Sequence, residues 1–285
     1  MLGCVLPQVT LLLLLGWSSA EAAPPPHLDL SEAGIHGVQL YESGHYDEAL
    51  IALQSEVDRL RGEDNGSVSY AYLLHQLGVV SGFVDDTSVS RTLMAEAEKI
   101  LDNGTPSELL ANLYHDMGRI AAAEDKSEEE VGWMKRAVEV QRALSGAKDA
   151  RVATRQLQVA QALINLGDFE EATVVLERAV AILERPGAPL GSLAEAHHIR
   201  GMSLLEQGAY GASALSFQQG AELRARVHGE DHIQTSRALL QWGLATHYSG
   251  DNTAARPILE RALRSNRASY GDESHNVAEA VNALG

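Results

Sequence analysis

Histidine is the residue through which this chain could most readily do chemistry. There are eleven in 285 residues. His75 and His115 are 40 residues apart, and His198 follows after 83, about twice that interval. Imidazoles that recur in this way suggest either a metal site or a surface that responds to pH. If each interval is one stacked helical unit, equivalent positions lie about one helix diameter, roughly 10 Å, apart. Metal–ligand bonds are about 2 Å, so these three histidines are not expected to share an ion. His197 and His198 are adjacent on one predicted helix and face different directions. The other chemical signatures are missing. The sequence contains no Gly-x-Ser-x-Gly, no His-Glu-x-x-His, no phosphate-binding loop and no calcium-loop spacing. Acidic groups such as Glu128-Glu129-Glu130 and Glu170-Glu171 sit at predicted helix starts, where they complement the helix dipole. The expectation is a chain with no catalytic residues, no metal and no cofactor.

The elements that carry these histidines repeat. Gly37, Gly78, Gly118, Ala160, Gly201, Gly243 and Gly285 follow one another at spacings of 41, 40, 42, 41, 42 and 42 residues. A period of this size marks a stacked-helix solenoid, and solenoids serve mostly as binding surfaces. Residues 154–183 show the unit most clearly. Leu157, Val159, Ala160, Leu163, Ile164 and Leu166 form the apolar stripe of a first helix, which ends at Gly167. Asp168 and Glu171 form a capping box. Phe169, Ala172, Val175, Leu176, Ala179, Val180 and Leu183 then keep helical spacing in a second helix. Other turns fall at Gly44, Gly208 and Gly250. Small residues recur after them at Ala49, Ala172, Ser213 and Ala255, and again at Ala97, Ala137, Ala179 and Ala262. Leu53, Met94, Met134, Leu176, Phe217 and Leu259 are the large residues expected to fill the gaps between them. The second unit departs from the pattern at Asp85 and Ser90, and the third at Asp125 and Glu130.

From residue 30 to 285 this pattern resembles the tetratricopeptide repeat. The standard unit is 34 residues; this one is longer. The loops Gly229-Glu230-Asp231-His232 and Gly271-Asp272-Glu273-Ser274-His275 resemble the connector of kinesin-light-chain-type repeats, although no proline follows His232 or His275. Val277 to Gly285 resembles that family's opening helix. The resemblance implies an all-α, right-handed superhelical solenoid of antiparallel helix pairs. It also implies that the first helices line a concave groove. Counted from the recurring glycines, that groove carries Tyr72, His75 and Phe83, then Asn112, His115 and Arg119. It continues with Thr154, Leu157, Gln161 and Asn165, then Glu195, His198, Met202 and Glu206, and ends with Arg237, Leu240, Leu244, His247 and Tyr248. Such a mixed surface with aromatic anchors suits a peptide. The positions at which a carboxylate-clamp chaperone adaptor needs converging Lys and Asn hold His, Glu and apolar residues here, so that role is not expected.

The expected layout is a signal peptide over 1–22, a proline-rich spacer over 23–29 and the array over 30–285. The array comprises six helix pairs and an incomplete seventh. Leu11 to Leu15 are the apolar core of the signal, which has no Lys or Arg before it. Cleavage is expected after Ala20 or Ala22. The apolar run is too short for a span of about 20 residues. These features predict a secreted or periplasmic protein without membrane insertion after cleavage. Cys4, the single cysteine, falls within the signal. The net charge is −17, which disfavours nucleic acid and anionic membranes and suits a protein or peptide partner, a basic one in particular. Asn65-Gly66-Ser67 and Asn103-Gly104-Thr105 are glycosylation acceptor triplets in loops between repeats. The reading is an exported interaction scaffold. The alternative is the sensor half of a longer protein, with an effector domain beyond Gly285.

Overall fold

The computed structural model describes residues 28–63, 65–84, 86–270 and 275–284. Every regular element among them is an α-helix. In chain order these are α1 (Glu32–Glu42), α2 (Tyr46–Glu63), α3 (Val68–Phe83), α4 (Thr87–Leu101), α5 (Glu108–Ala123), α6 (Ser127–Ser145) and α7 (Ala150–Leu166). They continue with α8 (Phe169–Leu183), α9 (Leu190–Glu206), α10 (Tyr210–His228), α11 (Ile233–Tyr248), α12 (Asn252–Tyr270) and α13 (His275–Leu284). Taken two at a time, α1 to α12 are the helix pairs that the period predicts, and α13 follows them. The signal peptide, the spacer up to residue 27, the turn residue Asp85, the loop 271–274 and Gly285 lie outside the described residues.

Local chemistry sets the helix boundaries. Ser31, Ser67, Ser107 and Asp149 cap α1, α3, α5 and α7, each side chain accepting a backbone N–H of the first turn. These bonds satisfy donors that a helix start leaves open. Within a pair, the turn needs a left-handed residue. Gly167 supplies it at φ 87°, and Asp168 then caps α8 by accepting the Glu171 N–H at 3.0 Å. In the third pair Asp125 takes this conformation at φ 58° without being glycine, a position that Asp tolerates better than bulkier residues do.

Packing inside each pair follows one rule. A small residue on the first helix faces a large residue 16 positions later on the second. A Cβ added at Gly37 would fall 2.9 Å from Leu53, one at Gly118 3.0 Å from Met134, and one at Gly201 2.7 Å from Phe217. The helix axes therefore approach as closely as glycine permits, and the large side chain fills the gap. Ala49, Ala97, Ala137, Ala172, Ala179, Ala255 and Ala262 are buried at the predicted small contacts. Ser213, also buried, donates its hydroxyl to the Gly201 carbonyl at 2.7 Å, tying α10 to α9.

Residue contacts divide the chain into two compact units between Val140 and Gln141, inside α6, although the sequence period continues through that point. Unit 1 is built around α3, whose Leu73, Leu74 and Leu77 are wholly enclosed. Unit 2 has its own apolar clusters, around Leu239 and Leu259 and around Phe217 and Ala245.

Candidate binding surface of the first helices

In unit 1 the first helices α1, α3 and α5 bring together Tyr41, His75, Asp116 and Arg119. The His75 ring Nε2 lies 2.8 Å from Asp116 Oδ2, and Arg119 Nη1 lies 3.6 Å from Asp116 Oδ1. Burial pushes the Asp116 carboxyl up, but the His75 hydrogen bond and the charges of His75, His115 and Arg119 outweigh it and hold it at about 2. Burial lowers Arg119, opposed by the Asp116 charge. Tyr41 is raised well above the ordinary phenol range, by burial first and by the Asp116 charge second. The carboxylate is thus the fixed negative centre of this cluster.

Two residues assigned to the groove in this unit are interior instead. Tyr72 and His75 are both buried, His75 to 3% exposure. The reason is the position of α3: α1 and α2 pack on one side, α4 and α5 on the other, and almost every residue from Tyr70 to Ser81 is enclosed. Asn112, His115 and Arg119 keep partial exposure on α5. The His115 ring Nδ1 lies 3.3 Å from Met134 Sδ. Phe83 is half-buried and stacks on Tyr46 at 4.7 Å between ring centroids, with Tyr41 at 5.9 Å.

Unit 2 shows the same division. Leu157 and Leu240, assigned to the groove, are buried instead. Their apolar stripe is the one that holds the helix pair together. Thr154 and Asn165 are exposed and Gln161 is partly so. Thr154 Oγ1 lies 3.3 Å from Ser192 Oγ, and Gln161 donates to Asn165 at 3.1 Å. Glu195 pairs with Arg224 of α10, which also donates to Gln234 at 2.6 Å. The His198 ring is tilted against Phe217 at 5.5 Å between centroids, and Met202 lies against the same cluster. Burial lowers the His198 imidazole, and Arg224 and Arg237 add to this against the Glu195 charge. Arg237 and Leu244 are partly exposed, and Glu206 and His247 are exposed. Tyr248 is 54% exposed, with Tyr210 at 5.8 Å and His247 at 5.7 Å.

Among the described residues no three His, Cys, Asp or Glu side chains are grouped to hold a metal ion. No described helix is long and apolar enough to cross a membrane.

The family profile of the tetratricopeptide repeat matches residues 152–185, the pair α7–α8. The chain has the tetratricopeptide-repeat fold. Its fold is shared with solved structures at low identity. BtubC (BKLC) from P. vanneervenii is 14% identical, with a TM-score of 0.68 over 81% of this chain and 94% of that one. A putative kinesin light chain from Podosopora anserina with nearly identical TPR-like repeats is 18% identical, with a TM-score of 0.56 over 75% of this chain and 98% of that one. The apo quorum sensor NprR from B. thuringiensis is 15% identical, with a TM-score of 0.61 over 90% of this chain and 70% of that one. No curated protein matches the sequence.

The sequence reading missed Asp116, Tyr41, Tyr46 and Tyr210. Each had a signal in the repeat frame. Asp116 stands 41 residues after His75 and reaches it from the next repeat. Tyr46 and Tyr210 each follow a turn glycine by two positions, as Phe169 does, and each meets a ring at the end of the next repeat's first helix, Tyr46 stacked on Phe83 and Tyr210 tilted against Tyr248.

Proposed function

We propose that this tetratricopeptide-repeat chain is an exported interaction scaffold that holds a peptide or protein segment on its first helices. The observation that carries the reading is the exposed stretch of unit 2 at Arg237, Leu244, His247 and Tyr248. There a cation, an aliphatic residue and an aromatic anchor share one helix, α11. Aromatic and arginine anchors dominate binding energy at interfaces, and Tyr248 is more than half exposed in the free chain. Repeat folds of this kind are in the main binding scaffolds, and the similar structures include a quorum sensor. A basic segment complements the net charge of −17.

Two measurements test the two halves of this reading. A photo-cross-linker in place of Tyr248 should trap a discrete protein in the native host, and one in place of the exposed Glu177 on α8 should not. Equal labelling from both sites, or from neither, would defeat the binding reading. Export predicts a mature chain beginning at Glu21 or Ala23, and mass spectrometry showing an intact Met1 would defeat it.

A further inference from the structure

The chain has eight asparagines. Six lie in helices: Asn112 in α5, Asn165 in α7, Asn252 and Asn266 in α12, and Asn276 and Asn282 in α13. None of these six is followed by Ser or Thr two positions on. The two asparagines outside helices are Asn65 and Asn103, and both head an Asn-Gly-Ser/Thr triplet. Two triplets placed at random among the eight asparagines would only rarely both fall on the two outside helices. Both loops have the same role in unit 1. Asn65 lies between α2 and α3 and Asn103 between α4 and α5, each where one repeat hands over to the next. Both side chains are exposed. Asn103 Oδ1 accepts the Thr105 N–H at 3.0 Å, and Gly104 takes φ 83°, so the loop turns outward on a residue without a side chain. Ser67 accepts the Tyr70 N–H at 3.1 Å, which leaves its own hydroxyl hydrogen free to be donated.

From this segregation we propose that Asn65 and Asn103 are N-glycosylation sites. The inference rests on the export reading, because the transfer takes place in a secretory compartment. The donor is an oligosaccharide carried on a polyisoprenyl pyrophosphate. The side-chain amide nitrogen attacks the anomeric carbon, a C–N bond forms and the bond from that carbon to the pyrophosphate oxygen breaks. The lipid pyrophosphate leaves, and the amide nitrogen loses one proton. No oxidation or reduction takes place. The two sites are not equivalent. Pro106 follows Thr105 directly, removing a backbone donor and fixing the chain beside the acceptor, so Asn103 is expected at lower occupancy than Asn65.

The test is expression of the full chain in cultured animal cells, with peptide-N-glycosidase digestion and peptide mass spectrometry. The expected result is a secreted protein whose mobility increases on digestion. Asn65→Gln should remove most of that shift, Asn103→Gln a smaller part, and the double variant all of it. Circular dichroism of the double variant should match the parent, since both positions are exposed loops. A secreted chain with a bare Asn65 overturns the proposal. If the chain instead stays in the cytosol with Met1 intact, the export reading is what fails. The full chain is then placed behind a strong secretory leader, and a bare Asn65 in that secreted protein overturns the site assignment in its own right.

Discussion

His75 on α3 and Asp116 on α5 are 41 residues apart in sequence and 2.8 Å apart in space. The period that separates the helices thus also aligns the two groups, so the bond crosses from one repeat to the next. Asp116→Asn removes the carboxylate but keeps the shape. Loss of a hydrogen bond to a charged group is expected to cost about 1.5–3 kcal/mol. The effect is also pH-dependent. The folded carboxyl is held at about 2, below an unfolded value of about 3.9. Its stabilisation is therefore complete above about pH 4 and fades as the pH falls towards 2. Urea melts of Asp116→Asn should show a shallower loss of stability between pH 4 and 2 than the parent. Parallel curves would mean that the pair contributes no charge.

Gly201 should tolerate no side chain. A Cβ there would fall 2.7 Å from the Phe217 ring, and neither the ring nor the helix can move without disturbing the pair. Gly201→Ala is expected to cost roughly 1–3 kcal/mol through overpacking. Gly211, on the same helix pair, has open space around it: a Cβ added there would meet nothing within 4 Å. Gly211→Ala should be neutral or stabilising, by up to about 1 kcal/mol from helix propensity. Thermal melts of the two variants should therefore move in different directions, and equal shifts would refute the close approach.

Glu130 occupies a position at which other repeats have alanine or serine. It is 8% exposed, and burial alone raises its carboxyl to about 7. The unfolded carboxyl ionises near about 4.3 while the folded one still holds its proton, so the cost is absent below about pH 4, grows as the pH rises towards 7 and is complete above it. Glu130→Ala should stabilise the chain at pH 8 by about 1–2 kcal/mol, after allowance for partial solvation, and by little at pH 4. Denaturant melts at the two pH values check this; equal gains at both would assign the effect to propensity alone.

The repeat frame was legible in the sequence because it rests on contacts of fixed separation. Gly37 with Leu53 and Gly201 with Phe217 use the same 16-residue offset, and any chain of such pairs exposes its period. The binding surface was less legible. Counting from the glycines treats every first helix as equally exposed, yet α3 is covered on both sides and takes Tyr72 and His75 with it. The continuous apolar run from Ala71 to Val80, broken by His75 and Gln76, carried that information. Leu157 and Leu240 failed differently. An aliphatic residue in the groove phase is as well suited to packing between helices as to meeting a partner, and only neighbouring helices decide between the two. Asp116 was overlooked because its 41-residue offset from His75 becomes a contact only when neighbouring repeats are set side by side.

Unit 2 should weaken in mild acid through His197 and His198. Burial lowers both imidazoles, and nearby arginines lower them further: Arg200 for His197, and Arg224 and Arg237 for His198. His197 Nδ1 is enclosed with no hydrogen-bond partner among the described residues, so a proton placed there would find no acceptor among them. The unfolded chain takes up protons near pH 6.5, and the folded chain resists until a lower pH. The stabilisation is thus complete above about pH 7.5 and is lost as the pH falls through 6.5 and below. His197→Leu removes one of the two titrating groups and leaves an apolar side chain in an apolar place. Its stability should therefore fall less than the parent's between pH 7.5 and 5, whatever its value at pH 7.5. The check is a series of urea melts across that range, with His36→Gln, an exposed histidine on α1, as the control that should follow the parent. A His197→Leu curve parallel to the parent's would show that this imidazole titrates no lower in the folded chain than in the unfolded one, and that burial and Arg200 do not depress it.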